Sequence, residues 1–249
     1  MSTESVPSPL VTDVIDTVVA RAGLQEIPGP DNGPYLPLTF SDNPEQSAGA
    51  VRLWSSSGDS SLDRMVHMRL LTGPVDTQLL FVFGRADSTM PHMHLQTVQF
   101  PPDGCVYNVD LLPRLDPVTH PNWFTRVYTG LRRPYKAATG DAGNSCAQAP
   151  ANPALAFYMS PYGIASARTD TTELEHVSPQ LLAYIDHYLA LAEEKWPVPD
   201  GVDTIGRDRQ YLQLFFADEL DPRAWHGVYK VIGEARGKVV KQLLQTPLR

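Results

Sequence analysis

The feature that most constrains this chain is a run of five short segments between residues 51 and 112: Val51–Ser55, Met65–Leu71, Gln78–Phe83, Met93–Phe100 and Val106–Leu112. Apolar residues alternate or crowd together in each, and β-branched and aromatic side chains are frequent. Turn residues separate them: Ser57-Gly58-Asp59, Gly73-Pro74 and Pro102-Asp103-Gly104. Connections this short join antiparallel neighbours, because a parallel crossover needs about a dozen residues or more. The run therefore predicts one antiparallel sheet built from successive hairpins.

Helical patterns flank it. Ser8-Pro9 opens a helix in which Leu10, Val11, Val14, Ile15, Val18 and Val19 share a face, and Gly23 ends it. The segment from Ile27 to Pro44 reads as a loop. Asn122 to Leu131 reads as a helix, and Lys136 to Pro150 as a loop. Leu155–Ser160 and Ile164–Thr169 read as two further strands around a turn at Gly163. Ser178-Pro179 begins a helix striped by Leu181, Leu182, Ile185, Tyr188 and Leu189. Trp196 to Gly201 breaks the pattern. Arg207 to Leu220 reads as a helix, and Asp221-Pro222 opens a last one reaching about Leu244. This order predicts an α+β fold: one antiparallel sheet of six to seven strands with helices on both faces.

Composition narrows the function. A 249-residue chain that is 42% hydrophobic can bury a sizeable core. No apolar run reaches ~18 residues, so no membrane partner is expected. The first residues lack a basic stretch followed by an apolar block, which favours a cytoplasmic location. Cys105 and Cys146 read as free thiols, too few for a four-ligand zinc site. The net charge of −8 argues against a nucleic-acid partner. Two basic clusters stand out locally: Arg126, Arg132, Arg133 and Lys136, and Lys230, Arg236, Lys238, Lys241 and Arg249. They are either solvated helix faces or a dock for an acidic partner. Glycine-rich dinucleotide, P-loop and Gly-x-Ser-x-Gly signatures are missing.

Three features carry candidate chemistry. His92 and His94 point to one face of a strand, but no carboxylate follows before Asp103. Metal binding is thus the weaker reading, beside one exposed and one packed histidine. The second feature is the hairpin at Pro101–Cys105. A four-residue loop pairs Phe100 with Cys105 and puts Gln96 and Asp110 on opposite faces. A five-residue loop pairs Phe100 with Val106 and Gln96 with Asp110, so that His94, Gln96, Asn108 and Asp110 share a face. That face is either a proton-donating floor or plain solvent surface. The third is Asp218-Glu219 beside an apolar helix bearing Tyr211, Leu212, Leu214, Phe215 and Phe216. Asp218 is either a rim residue or a pocket acid with a raised pKa.

Read together, several segments resemble the red chlorophyll catabolite reductases and, more distantly, the ferredoxin-dependent bilin reductases. They are Leu95-Gln96-Thr97-Val98-Gln99-Phe100-Pro101, Val109-Asp110-Leu111-Leu112-Pro113-Arg114-Leu115-Asp116, Pro121-Asn122-Trp123 with Tyr128, Asn152-Pro153-Ala154-Leu155, Ile164-Ala165-Ser166, Arg207-Asp208-Arg209-Gln210-Tyr211 and Ala217-Asp218-Glu219-Leu220-Asp221. The resemblance covers about residues 50–245. It implies an α/β/α sandwich with a central antiparallel sheet, with residues 1–249 as a single domain, and a pocket for a linear tetrapyrrole between the sheet and the C-terminal helices. It also implies reduction by electrons from the external donor ferredoxin, with no bound flavin, nicotinamide or metal. The protein then supplies protons and holds a substrate radical. On this resemblance Gln96, Asp110 and Asp218 are the catalytic candidates. His94, Asn108, Tyr158, Arg168, Phe215 and Glu219 are the candidates for holding substrate. Gln96 departs from the His, Glu or Asn of relatives, and an amide is no acid. An Arg that relatives carry near Tyr158 is absent, leaving Arg168 or Arg114 for propionates, with a structural role as the equal alternative for Arg114. A non-catalytic carrier of a bilin, haem or other ligand on the same scaffold is the alternative.

Overall fold

A computed structural model describes residues 9–56, 58, 60–140, 153–166 and 168–246. The central strands are β1 (Leu24–Ile27), β2 (Leu36–Thr39), β3 (Ser47–Ser56), β4 (Leu62–Thr72), β5 (Val75–Gly84), β6 (His92–Phe100), β7 (Gly104–Leu112), β8 (Ile164–Ala165) and β9 (Thr169–Asp170). The helices are α1 (Pro9–Ala22), α2 (Pro121–Tyr128), α3 (Arg132–Thr139), α4 (Thr171–Ala192), α5 (Thr204–Phe215), α6 (Pro222–Ile232) and α7 (Glu234–Gln245). The strands form one sheet, ordered β1-β3-β4-β5-β6-β7-β8, with β2 added on β3 and β9 on β7. Every pairing is antiparallel.

Alternation along the strands sorts the side chains into two cores. On one face Met65, Leu80, Val82, Met93, Leu95, Tyr107, Val109 and Leu111 pack under α1, α2 and α4. On the other, Val66, Met68, Leu70, Leu79, Phe81 and Phe83 pack under α5, α6 and α7. The expected α/β/α sandwich is present. Among the described residues no helix is long and apolar enough to cross a membrane.

The differences lie outside the long hairpins. The segment read as a loop from Ile27 to Pro44 contains β2, whose Leu38 is fully buried. Strand pairing to β3 stabilises residues too few to show a period of their own. Leu155–Ser160 is not a strand: residues 153–157 form a 3-10 turn. Residues 136–139, read as loop, complete α3, while the remainder of that segment from 141 to 150 lies outside the described residues. The helix placed at Ser178-Pro179 begins earlier, at Thr171. Asp170 caps it by accepting from the Glu173 N–H at 2.8 Å, and Pro179 lies inside it. Ser8, the expected cap of α1, also lies outside the described residues. The last helix is two, broken at Gly233, where φ is 82°.

Candidate functional site

The hairpin β6–β7 takes neither expected register. Phe100 pairs with Gly104, so only residues 101–103 turn, and Gln96 stands opposite Asn108 while His94 stands opposite Asp110. Gly104 explains the choice: a Cβ there would lie 2.9 Å from the Phe100 ring, with Arg168 close behind. The shift from the five-residue alternative is by two residues, so the side chains keep their face. His94, Gln96, Asn108 and Asp110 therefore share one face, Gln96 being diagonal to Asp110 rather than opposite it.

This face looks toward α5. Asp110 lies at its closed end, fully buried. The Ser160 N–H donates to Asp110 Oδ2 at 2.6 Å, and the Ser160 hydroxyl lies 2.5 Å from Oδ1. Burial pushes the carboxyl up to about 7, against the hydrogen bonds from Ser160 and the Leu111 backbone. Gly163 closes the space: a Cβ on it would stand 3.1 Å from Asp110 Oδ2 and 2.9 Å from Met159. The phenols of Tyr128, Tyr184 and Tyr211 surround the acid, each pushed up chiefly by burial and further by the Asp110 charge.

His94 is buried and neutral, pushed down to about 4 by burial. Its Nδ1 has no hydrogen-bond partner. The edge-on Phe215 ring is 5.6 Å away, and Phe81 is 5.8 Å away. Tyr211 stacks on Phe215 at 5.9 Å, and Tyr158 meets Tyr211 at 5.7 Å. Next along the floor, Asn108 Nδ2 donates to Gln96 Oε1 at 3.0 Å, and Asn108 Oδ1 is buried without a partner. Gln96, Val98, Val106 and Asn108 are only half-buried, so the floor opens away from Asp110. This face thus sets amide and imidazole groups against the aromatic side chains of α5, with a protonatable acid at its buried end. Such a surface suits a flat conjugated ligand with polar N–H groups.

Not every sequence candidate joins it. Arg168 is exposed, 4.9 Å over Phe100 at the hairpin tip, roughly 20 Å along the strand from Asp110 at ~3.4 Å per residue. Asp218 and Glu219 are exposed beyond the end of α5. Asp218 Oδ1 accepts from the Lys241 ammonium at 2.6 Å and from the Tyr229 hydroxyl at 3.0 Å. The Lys241 hydrogen bond holds the Asp218 carboxyl below the usual range, the reverse of the raised pKa expected from its apolar helix, because the helix ends before Asp218 and turns it outward.

His92, two residues from His94, is buried as well, so neither histidine is exposed as the simple reading held. The Gly84 N–H donates to its Nδ1 at 3.1 Å, which leaves the proton on Nε2, 3.4 Å from Asp208. Arg114, completely buried, clamps both Asp208 oxygens and donates to the carbonyls of Arg85, Ser88 and Met90. It is thus committed inside the fold rather than free for a propionate. Among the described residues no three His, Cys, Asp or Glu are grouped to hold a metal.

Sequence reasoning missed Ser160 and Asp208. Ser160 sat in a segment read as a strand, and Asp208 in a motif valued only for its order. The one signal for Ser160 was the turn-forming Ser160-Pro161-Tyr162-Gly163 sequence.

A family model for red chlorophyll catabolite reductase matches residues 8–134. Red chlorophyll catabolite reductase 1, chloroplastic, of Oryza sativa subsp. japonica is 33% identical over 73 residues, 29% of this chain and 22% of the relative. The Hordeum vulgare red chlorophyll catabolite reductase is 31% identical over 70 residues, 28% of this chain and 34% of the relative. These matches span about a third or less of the curated relatives' length. The fold is similar to that of phytochromobilin synthase from tomato, crystallised in complex with biliverdin, with TM-score 0.75 and 13% identity, covering 95% of this chain and 82% of that one. With its matched segment running from α1 into α3 through both floor strands, the chain belongs to the red chlorophyll catabolite reductase family.

Proposed function

We propose that the protein reduces an open-chain tetrapyrrole held between β6–β7 and α5, taking single electrons from reduced ferredoxin and a proton from Asp110. The observation that carries this reading is Asp110 itself, fully buried yet pushed only to about 7. It can be a neutral acid near physiological pH and a stable carboxylate after giving its proton away. Family membership and the fold likeness support the substrate class.

Reducing one double bond takes two electrons and two protons. An added electron makes the conjugated system more basic. The Asp110 O–H bond breaks as a C–H or N–H bond forms on the ligand, solvent reprotonates the carboxylate, and after the second electron the second proton follows from the reprotonated Asp110. Gln96, Asn108 and His94 meet the ligand from the sheet side, while Tyr158 and Phe215 cover its other face. Arg132 and Arg133 are exposed on α3, whose Tyr135 ring meets Tyr162 of the Asp110-closing turn at 5.5 Å. This basic helix is where we place docking of the acidic electron donor. Docking over a Debye length of ~8 Å tolerates the overall negative charge.

The test is anaerobic incubation with biliverdin or a red chlorophyll catabolite, with and without reduced ferredoxin. Donor-dependent formation of a reduced product supports the reading. A ligand spectrum that shifts on binding but never progresses with donor supports the carrier instead.

A further inference from the structure

We infer that Ser160 is the positioning residue for Asp110, fixing one orientation of its carboxyl and stabilising the carboxylate left after proton transfer. The inference rests on the tetrapyrrole-reduction reading for its catalytic meaning, but its geometry stands apart from any ligand.

Ser160 grips both carboxyl oxygens at once, its N–H on Oδ2 and its hydroxyl on Oδ1. A carboxyl held at both oxygens cannot turn about its last bond. The Tyr162 N–H donates to Ser160 Oγ at 3.1 Å, so the hydroxyl oxygen has its own donor and the hydroxyl proton is free for Asp110. When Asp110 is protonated, the same short contact lets it donate to Ser160 Oγ instead.

The turn bearing Ser160 is itself fixed from several helices. Tyr211 of α5 donates to the Tyr158 carbonyl, and Tyr184 of α4 donates to the Tyr162 carbonyl at 2.6 Å. Tyr128 of α2 stacks on the Tyr162 ring at 5.9 Å. Tyr211 is also one of the aromatic side chains of α5 set against this face, so the turn that orients the acid and the helix that covers the ligand are joined directly.

Other groups facing Asp110 do not compete for this role. His94 on β6 is neutral, and the phenols of Tyr128, Tyr184 and Tyr211 are raised above their ordinary values. Arg207 of α5 turns to the Pro113 carbonyl and Asp208. Ser160 is the side chain whose hydrogen bond opposes the effect of burial on Asp110.

The experiment follows the Asp110 carboxyl stretch in the full ligand-free chain by infrared difference titration, with Asp110→Asn identifying the band. Losing a hydroxyl donor to a charged acceptor raises the acid's midpoint, so Ser160→Ala moves it up by about one pH unit. Ser160→Thr, which keeps the hydroxyl, returns it toward the parent. Should the alanine variant not fold, Ser160→Cys, a weaker donor, gives an intermediate upward shift. In turnover, the basic limb of the kcat profile moves with the band while KM changes less. An unmoved band in folded Ser160→Ala or Ser160→Cys protein overturns the inference. A moved band in a protein that never turns over supports Ser160 as the positioning residue and counts against the reductase reading alone.

Discussion

His92 and His94 stand on one face of one strand, both buried, both pushed down to about 4, yet they serve different ends. His92 accepts the Gly84 N–H at Nδ1, while its Nε2 makes no hydrogen bond but lies 3.4 Å from Asp208, which Arg114 clamps. His94 has a ring on its face and nothing on Nδ1. Burial alone does not separate a structural polar group from a functional one. What differs is the charge within reach: the His92 ring faces the Asp208 carboxylate, whereas burial alone acts on His94 among aromatic rings, and a native fold seldom leaves such a buried atom bare unless something else is meant to meet it. The unpartnered atoms of His94 and Asn108 lie beside the protonatable Asp110, whereas the clamp at Asp208 ties α5 to the sheet.

The largest effect that sharpens this contrast is expected at the clamp. Asp208→Ala strands Arg114 as an uncompensated buried charge and costs about 3–5 kcal/mol in denaturant unfolding. A loss below 1 kcal/mol would mean the clamp holds nothing. At the candidate site, Asp110→Asn is expected to bind ligand but lower turnover by about a hundredfold or more, the scale of general acid catalysis. Turnover within a few-fold of the parent would move the proton source elsewhere.

The same substitution has a stability signature. Asp110 has a folded pKa raised from 3.8 to about 7. Its contribution is therefore fully present below pH ~4 and lost as pH rises through ~7. Asp110→Asn should match the parent near pH 4 and exceed it above pH 7, by at most about 4 kcal/mol. His67, His92 and His94, depressed to about 4, act with the opposite sign. Their stabilising effect is present above pH ~6.5 and lost as pH falls toward ~4. Unfolding midpoints across pH 4–8 for parent and variant check both signs.

His92→Leu leaves the Gly84 N–H and one contact of Asp208 unmet and should cost about 1–3 kcal/mol. His94→Leu loses no hydrogen bond at Nδ1 and should cost under about 1 kcal/mol while weakening ligand binding. Equal stability losses would erase the distinction. The smallest effect is expected at Asp218, which is itself exposed although its partner Lys241 is not, so that their pair is worth about 1 kcal/mol or less. Asp218→Asn measured beside Asp110→Asn for stability and turnover tests which acid matters; a turnover loss as large as that of Asp110→Asn would restore Asp218 as a proton donor.

The sequence by itself determined the sandwich and the face of the sheet that carries the site. Period-two alternation and turn residues are local properties, so the five long strands were legible from Val51 to Leu112. Even the misjudged register at Phe100 kept His94, Gln96, Asn108 and Asp110 together, because a shift of two preserves the face. Only the tertiary structure decided which acid is buried and what holds it. Asp110 meets Ser160 across 50 residues of chain, and Arg114 meets Asp208 across 94. Asp218 looked like the pocket acid because its helix is apolar, but α5 ends at Phe215 and the chain turns it to Lys241. A carboxyl's proton affinity is set by the neighbours that displace water from it, and those neighbours come from distant parts of the chain.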